Sequence, residues 1–283
     1  MSEDTPADLR RMQALVAELW RLEGPAVENH IGDVAWQRFM HEGREEEWRV
    51  KIWGDEAWAW LRRPSTLLYE IHPDHRAGPL HHKLIEWFEA EADTDELRTS
   101  SLSTDAERIN VLRRHGYELD PAARVLAHHI RDLADVPEPG LPDGYRLRTV
   151  EPSDLVRRVE LHRTVWAPSR VTAESYANVM AAWPYRADLD CVVEAADGTF
   201  ASYALAWLDA ANRVGELEPV GTHPDHRRLG LASAVCLLAL RRLRDASAER
   251  AIVYAWADSP AKTLYESIGF REHARSLELV KRR

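Results

Sequence analysis

Cysteine is nearly absent: Cys191 and Cys236 are the only two among 283 residues. Two thiols cannot form a disulfide framework, and neither belongs to a CxxC or His-rich cluster, so a disulfide-stapled scaffold and a structural zinc module are both excluded. A reducing compartment fits best. Long apolar runs are missing too. No stretch approaches the roughly eighteen uninterrupted apolar residues of a membrane span, and the polar Met1 to Arg11 lacks the apolar centre of a signal peptide. These lacks point to the cytoplasm. Basic residues are outnumbered, 37 Lys and Arg against 47 Asp and Glu, giving a net charge of −10. Such a field repels nucleic acid and anionic membrane and draws in small cations, although solubility alone also explains acidity. His81 and His82 are adjacent, would point apart on a helix and have no carboxylate–histidine spacing around them, so no metal is expected.

What is present is a globular composition, 45% apolar and 30% charged, over a length that suits two ordinary domains. The chain also repeats itself. His72-Pro73-Asp74-His75-Arg76 returns intact as His223-Pro224-Asp225-His226-Arg227. Each copy follows a β-type run, Leu67 to Ile71 and Leu217 to Thr222, and each leads into a helical pattern. The first helix carries an amphipathic stripe of Leu80, Leu84, Trp87 and Phe88. The second, Leu231 to Leu243, is apolar almost all round and should lie deeper, with Arg241, Arg242 and Arg244 at its negative end. Farther on, His115-Gly116-Tyr117 answers Ile268-Gly269-Phe270. Between the copies, Val136 to Gly144 is rich in proline and glycine and reads as a linker, which divides the chain into 1–139 and 140–283.

The second unit reads as a strand at Tyr145 to Val150, helices at Pro152 to Val165 and Thr172 to Ala182, and a hairpin of Cys191 to Ala195 with Ala201 to Trp207 about Asp197-Gly198. The repeated strand and helix follow, then another strand and helix and a last strand at Ser276 to Val280. The first unit shows the same order, with its hairpin at Trp48 to Leu61. The expected fold class is α/β, in two tandem units, each a mixed and mostly antiparallel sheet flanked by helices.

Arg227-Arg228-Leu229-Gly230-Leu231-Ala232-Ser233 lies where a strand hands over to a helix, where free N–H groups and the helix dipole favour an anion. Gly230 and Ala232 leave room for a phosphate, and the arginines add charge. Taken alone, the run reads more readily as an ordinary helix start with surface arginines. The order strand, His-Pro, Arg-x-x-Gly-x-Ala, helix goes further and resembles the GNAT superfamily of N-acetyltransferases, whose loop reads Gln/Arg-x-x-Gly-x-Gly/Ala. Downstream, the family's Asn-x-x-Ala-x-x-Leu-Tyr and Gly-Phe have counterparts in Asp258, Ala261, Leu264, Tyr265 and Gly269-Phe270, with Asp258 in place of the usual Asn. The resemblance covers about 145–283 well and about 10–130 faintly.

That resemblance implies acetyl-CoA as co-substrate. The backbone of Val220, Gly221 and Thr222 would pair with the pantetheine arm. Arg227, Arg228, Leu229, Gly230, Leu231, Ala232 and Ser233 would wrap the pyrophosphate, with Asp258 nearby. Independently, Pro219 inside a strand argues for a bulge or an edge that frees amides. A neutral amine attacks the thioester, so a proton must leave the amine and another must reach the thiolate. The resemblance makes Tyr265 the acid; without it, Tyr265 reads as a core residue. Glu216 and Glu218 share one strand face, with Glu218 favoured as base over Glu216, and a water chain or a substrate-anchoring role as the alternatives. Trp166, Arg170, Trp183 and Tyr185 lie in loops that border the expected acceptor cleft, as acceptor contacts or as structural turns. The acceptor is expected to be a small, cationic primary amine such as an aminosugar. The tandem arrangement is similar to that of the mycothiol synthases, which would make the acceptor a cysteinyl aminosugar. A peptide acceptor, and a non-catalytic acyl-CoA sensor, are the competing readings; a tyrosine acid beside an intact loop argues against the sensor. The resemblance also admits a homodimer, which no residue pattern demonstrates.

The first copy lacks these parts. Pro79 stands at the loop glycine, His81 at the small residue, Leu112 at the tyrosine, and Ser65 and Leu67 at the two glutamates. The first unit is therefore expected to be structural, or a wall of the acceptor site. Its tryptophans, Trp58 and Trp60 on one hairpin face with Trp53 across it, read either as core or as an aromatic platform.

Overall fold

The computed structural model describes residues 6–40, 43–62 and 64–283. Two helices, α1 (Ala7–Glu23) and α2 (Ile31–Met40), precede β1 (Trp48–Trp53), β2 (Ala57–Arg62) and β3 (Thr66–Ile71). Then come α3 (Pro79–Glu91), β4 (Glu96–Leu102), α4 (Ala106–Arg114), β5 (Glu118–Leu119) and β6 (Leu126–Asp132). After the linker the order recurs: β7 (Tyr145–Thr149), α5 (Leu155–Val165), α6 (Ala173–Ala181), β8 (Asp190–Ala195), β9 (Phe200–Asp209), β10 (Val214–Thr222), α7 (Leu231–Asp245), β11 (Arg250–Trp256), α8 (Pro260–Ser267) and β12 (Arg271–Arg282). The expected elements are all found, with the last strand longer at both ends than Ser276 to Val280.

Every strand joins one mixed sheet in the order β1-β2-β3-β4-β12-β6-β11-β10-β9-β8-β7, with β5 on β12. Neighbours are antiparallel except for β3 with β4 and β10 with β11. The halves exchange their last strands. β6, which lies before the linker, pairs with β11, while β12, the last strand of the chain, pairs with β4. The two exchanged strands also pair with each other and join the halves into one sheet.

Side-chain alternation gives the sheet two faces. On the second half, Leu217, Ala251, Val253 and Ala255 pack against α7 and α8 with Tyr265 and Phe270. The opposite face, with Leu205, Trp207 and Ile252, is covered by α1, α2 and α6. The first two helices of the chain thus pack partly on the second half. Gly32 permits this contact: a Cβ there would lie 2.1 Å from Cγ of Trp207. Trp20, Trp36, Trp48, Trp58 and Trp60 fill the same cluster and are core residues. Trp53 does not lie across from Trp58 and Trp60. It pairs opposite Ala57 and stacks edge-on with Trp87 on the other face, because a one-residue offset in a strand reverses the side chain.

Candidate active site

The repeated pentapeptide folds twice into the same 3-10 turn, Pro73–His75 and Pro224–His226, each capped by the preceding histidine through its Nδ1. The chains then diverge. Arg76 is helical, whereas Arg227 is extended, Arg228 has φ 63° and Gly230 caps α7 with φ 78°. Proline is locked near φ −65°, so Pro79, at the place of Gly230, cannot adopt that left-handed cap and starts α3 instead. The left-handed turn leaves the first N–H groups of the fifteen-residue α7 facing outward.

β10 and β11 run together only from Val214 to Glu216, opposite Arg250 to Ile252, and then part. A bulge between Leu217 and Val220 in the pairing with β9, at Pro219, re-aims the strand before pairing resumes at Val220 to Thr222. Pro219 thus sits at the bulge expected for it. On the α7 side of the split lies a cleft of about 520 Å³. It is lined by Val220, Gly221, Thr222, Arg227, Arg228, Gly230, Leu231, Ala232, Ser233 and Tyr265. These are expected residues brought together. Leu229 points outward, 44% exposed, and Asp258 is exposed and paired with Arg124 at 2.6 Å, so neither side chain lines the cleft. Val165, His226, Pro260, Ala261 and Leu264 complete the wall. Of these, Val165 and His226 were not singled out as site residues: a valine at a helix end carries no signal, and His226 read as part of the repeated turn. Gly221 is required by space: a Cβ would meet Val165 at 2.7 Å and Tyr203 at 2.8 Å.

Tyr265 is almost wholly buried, and burial pushes its phenol well above the usual range, with Cys236, Glu218 and Tyr203 adding in the same direction. It therefore carries its proton throughout the working range. Glu216 is closed to solvent beside His30, with a carboxyl oxygen 3.1 Å from Nδ1. Burial raises Glu216 to about 8 and lowers His30 to about 4. Glu218, half-buried, is raised by burial and then by Glu216 and Asp33.

Across the split, beside α2, lies a second cavity of about 280 Å³ bounded by Asp33, Gln37, Arg62, His128, Tyr254 and Trp256 among others. Asp33 and Tyr254 were not singled out in sequence; a lone aspartate at a helix start reads as a cap. The loop residues fall elsewhere. Trp166 is half-exposed and donates to Tyr203 Oη at 2.8 Å, and Arg170 pairs with Glu47 at 2.7 Å on the surface. Trp183 and Tyr185 pack against the tryptophan-rich core, with Arg10 over the Trp183 ring and Tyr185 against Trp207. All four lie outside the walls of the cavity and, apart from Trp166 beside Val165, away from the cleft.

In the first half the equivalent loop is filled. His81 is fully buried between Tyr69 Oη and the Arg76 carbonyl, each 2.8 Å away, and Arg76 is held by Glu23. Among the described residues no group of three or more His, Cys, Asp or Glu could hold a metal ion, and no helix is long and apolar enough to cross a membrane.

The model of the FR47-like protein family matches residues 198–279, the stretch that contains the parted strands, the loop and Tyr265. Over the whole fold, the chain is similar to a tandem GNAT protein from the clavulanic acid biosynthesis pathway (TM-score 0.68, 17% identity, covering 97% of this chain and 94% of that one). The stretch 198–279 thus carries the FR47-like match, and the fold of the whole chain is a tandem GNAT fold. It is also similar to a GCN5-related N-acetyltransferase from Sphaerobacter thermophilus (TM-score 0.65, 18% identity, 98% and 93% coverage). By sequence it is 28% identical over 213 residues to a mycothiol acetyltransferase of Saccharomonospora viridis, covering 71% of this chain and 69% of that one. It is 31% identical over 185 residues to a mycothiol acetyltransferase of Geodermatophilus obscurus, covering 57% and 56%. The matched stretch thus spans little more than half of that second relative. The chain is an acetyltransferase of GNAT type.

Proposed function

We propose that the second half, 140–283, binds acetyl-CoA in the α7-side cleft and moves its acetyl group to the primary amine of a small, cationic acceptor. One observation carries this reading: β10 and β11 part between a cleft with an anion-binding helix start on one face and a polar cavity on the other. The pyrophosphate then lies on the α7 amides with Arg227 and Arg228, and the pantetheine arm runs along the unpaired edge of β10 from Val220 to Thr222. The acceptor enters from the opposite face. Its nitrogen attacks the thioester carbon, the carbon–sulfur bond breaks, and the departing thiolate takes the Tyr265 proton. Glu218 and, behind it, Glu216 line the route by which the amine proton leaves. Relatives named mycothiol acetyltransferase support a small-molecule acceptor. The first half, with its loop filled by His81, serves as scaffold and as a wall of the acceptor cavity.

Calorimetric titration of the full chain with acetyl-CoA tests the reading and is expected to give one site per chain. Tyr265→Phe should keep that affinity and lose about 10²- to 10⁴-fold in thiol release. Two sites would restore the first half as a binding unit, and unchanged turnover would remove Tyr265 as the acid.

A further inference from the structure

Three carboxylates stand on the wall of the cavity beside α2: Glu28, Asp33 and Glu278. Two are already engaged. Glu28 lies 3.4 Å from Arg108, and Glu278 pairs with Arg98. Asp33 is different. Its Oδ1 accepts from Gln37 Nε2 at 2.7 Å, and among the described residues no lysine or arginine is in ion-pair contact with it. It sits in the first turn of α2, which Gly32 seats directly on Trp207 and hence over β9 and β10 of the second half. Tyr254, on β11 just past the point where the strands part, opens on the same cavity, and its enclosed hydroxyl has no hydrogen-bond partner among the described residues.

We propose that Asp33, contributed by the first half, is the catalytic base that meets the acceptor's ammonium group in this cavity and takes its proton. The proposal rests on the acetyltransferase reading above and deepens it. The step balances: R–NH3⁺ and the Asp33 carboxylate give R–NH2 and the Asp33 carboxylic acid, and the freed nitrogen attacks the thioester across the split. Glu216 is poorly placed for this first contact, because it is sealed against His30 and borders neither cavity nor cleft. The groups facing Asp33 are Glu216 and Glu218 from β10, Tyr254 from β11, Arg62 from β2, and His30 and Gln37 from its own segment. Burial lifts Asp33 to about 7, Glu216 adds to the lift, and the Gln37 amide, Arg62 and His30 oppose it. A base poised there is half ionised at neutral pH, where an acceptor proton can be both taken and passed on. An arriving ammonium ion also gives Asp33 an ion-pair partner.

The test uses the full chain and thiol release from acetyl-CoA, with glucosamine as amine probe and water as the default nucleophile. Wild type should show an acid limb with its midpoint near 7. Asp33→Asn should lose that limb and about 10²- to 10⁴-fold in rate at pH 8, with acetyl-CoA stoichiometry and affinity unchanged. Gln37→Leu keeps Asp33 but removes its amide donor, and should move the limb to higher pH. Carboxyl-carbon NMR of aspartate-labelled wild type gives the Asp33 titration directly. A midpoint in the ordinary carboxylate range near ~4, or an Asp33→Asn enzyme that keeps the limb, overturns the proposal while leaving the acetyltransferase reading intact. Failure of wild type to bind acetyl-CoA, or to release thiol with either nucleophile, sinks both.

Discussion

At the scale of single residues, Glu216 and His30 form a buried pair whose protonation follows from its burial. His30 Nδ1 accepts from the Gly32 amide at 3.1 Å, so the ring has no proton on that nitrogen to offer the carboxyl 3.1 Å away. Burial raises Glu216 to about 8 and lowers His30 to about 4, so at neutral pH the carboxyl keeps its proton and the ring stays neutral. A folded-state pKa above the unfolded value of about 4.3 means that the group's stabilisation is complete below about 4.3 and is lost as pH rises through 8. Glutamine keeps the shape and does not titrate. The stability of Glu216→Gln relative to wild type should therefore rise by a few kcal/mol between pH 5 and pH 9, since each tenfold change in proton affinity on folding corresponds to about 1.36 kcal/mol. Urea unfolding of both proteins at the two pH values checks this; an equal difference at each would mean that Glu216 ionises freely in the fold. The sequence singled out Glu216 and Glu218 as neighbours on one strand face, but not that a helix from the far end of the chain would seal one of them. The same limit hid Asp33, whose surroundings come wholly from residues distant in sequence.

At the scale of elements, the loop was the most legible part of the molecule, because its requirements are local. Gly230 needs φ 78°, Gly221 needs the space of a missing Cβ, and the helix start follows both. Each can be read as residue type against position, and the first copy shows the contrast by placing Pro79 where the second has Gly230. Gly230→Pro should reproduce that first-copy loop in the second half. Acetyl-CoA binding should fall below calorimetric detection while far-UV circular dichroism stays native, since proline is tolerated next to a helix start and the change of backbone is confined to the loop. Binding that survived would mean that the α7 amides do not hold the pyrophosphate. Asp258, Trp183 and Tyr185 were harder to place, because a polar or aromatic residue in a loop looks the same whether it faces ligand, solvent or core. Here Arg124 takes the first and the tryptophan-rich core takes the other two.

At the scale of the whole molecule, pairing crosses the linker at β6–β11, β12–β4, β12–β5 and β12–β6, and no pattern in the sequence announces it. β6 and β12 each carry a run that any free sheet edge could accept, and a composition break near residue 140 marks the end of a repeat without saying which strand pairs with which. With β6 on β11, β12 on β4, and α1 and α2 packed over Trp207, neither half holds its own complete sheet. The linker itself is largely exposed from Pro137 to Gly144, tied by Arg241 to the Val136 carbonyl and to Glu138. A protease site inserted at Gly140 should therefore be cut without consequence for assembly. The nicked protein should elute as one particle of unchanged size, bind acetyl-CoA with the same stoichiometry and unfold in a single urea transition. An exchanged pair of central strands requires this, because separating the fragments would strip β11 and β4 of their partners together and expose the face that α2 covers. Fragments that parted under native conditions would show that each half completes its own sheet, and the Asp33 carboxylate would then have no fixed position across the split.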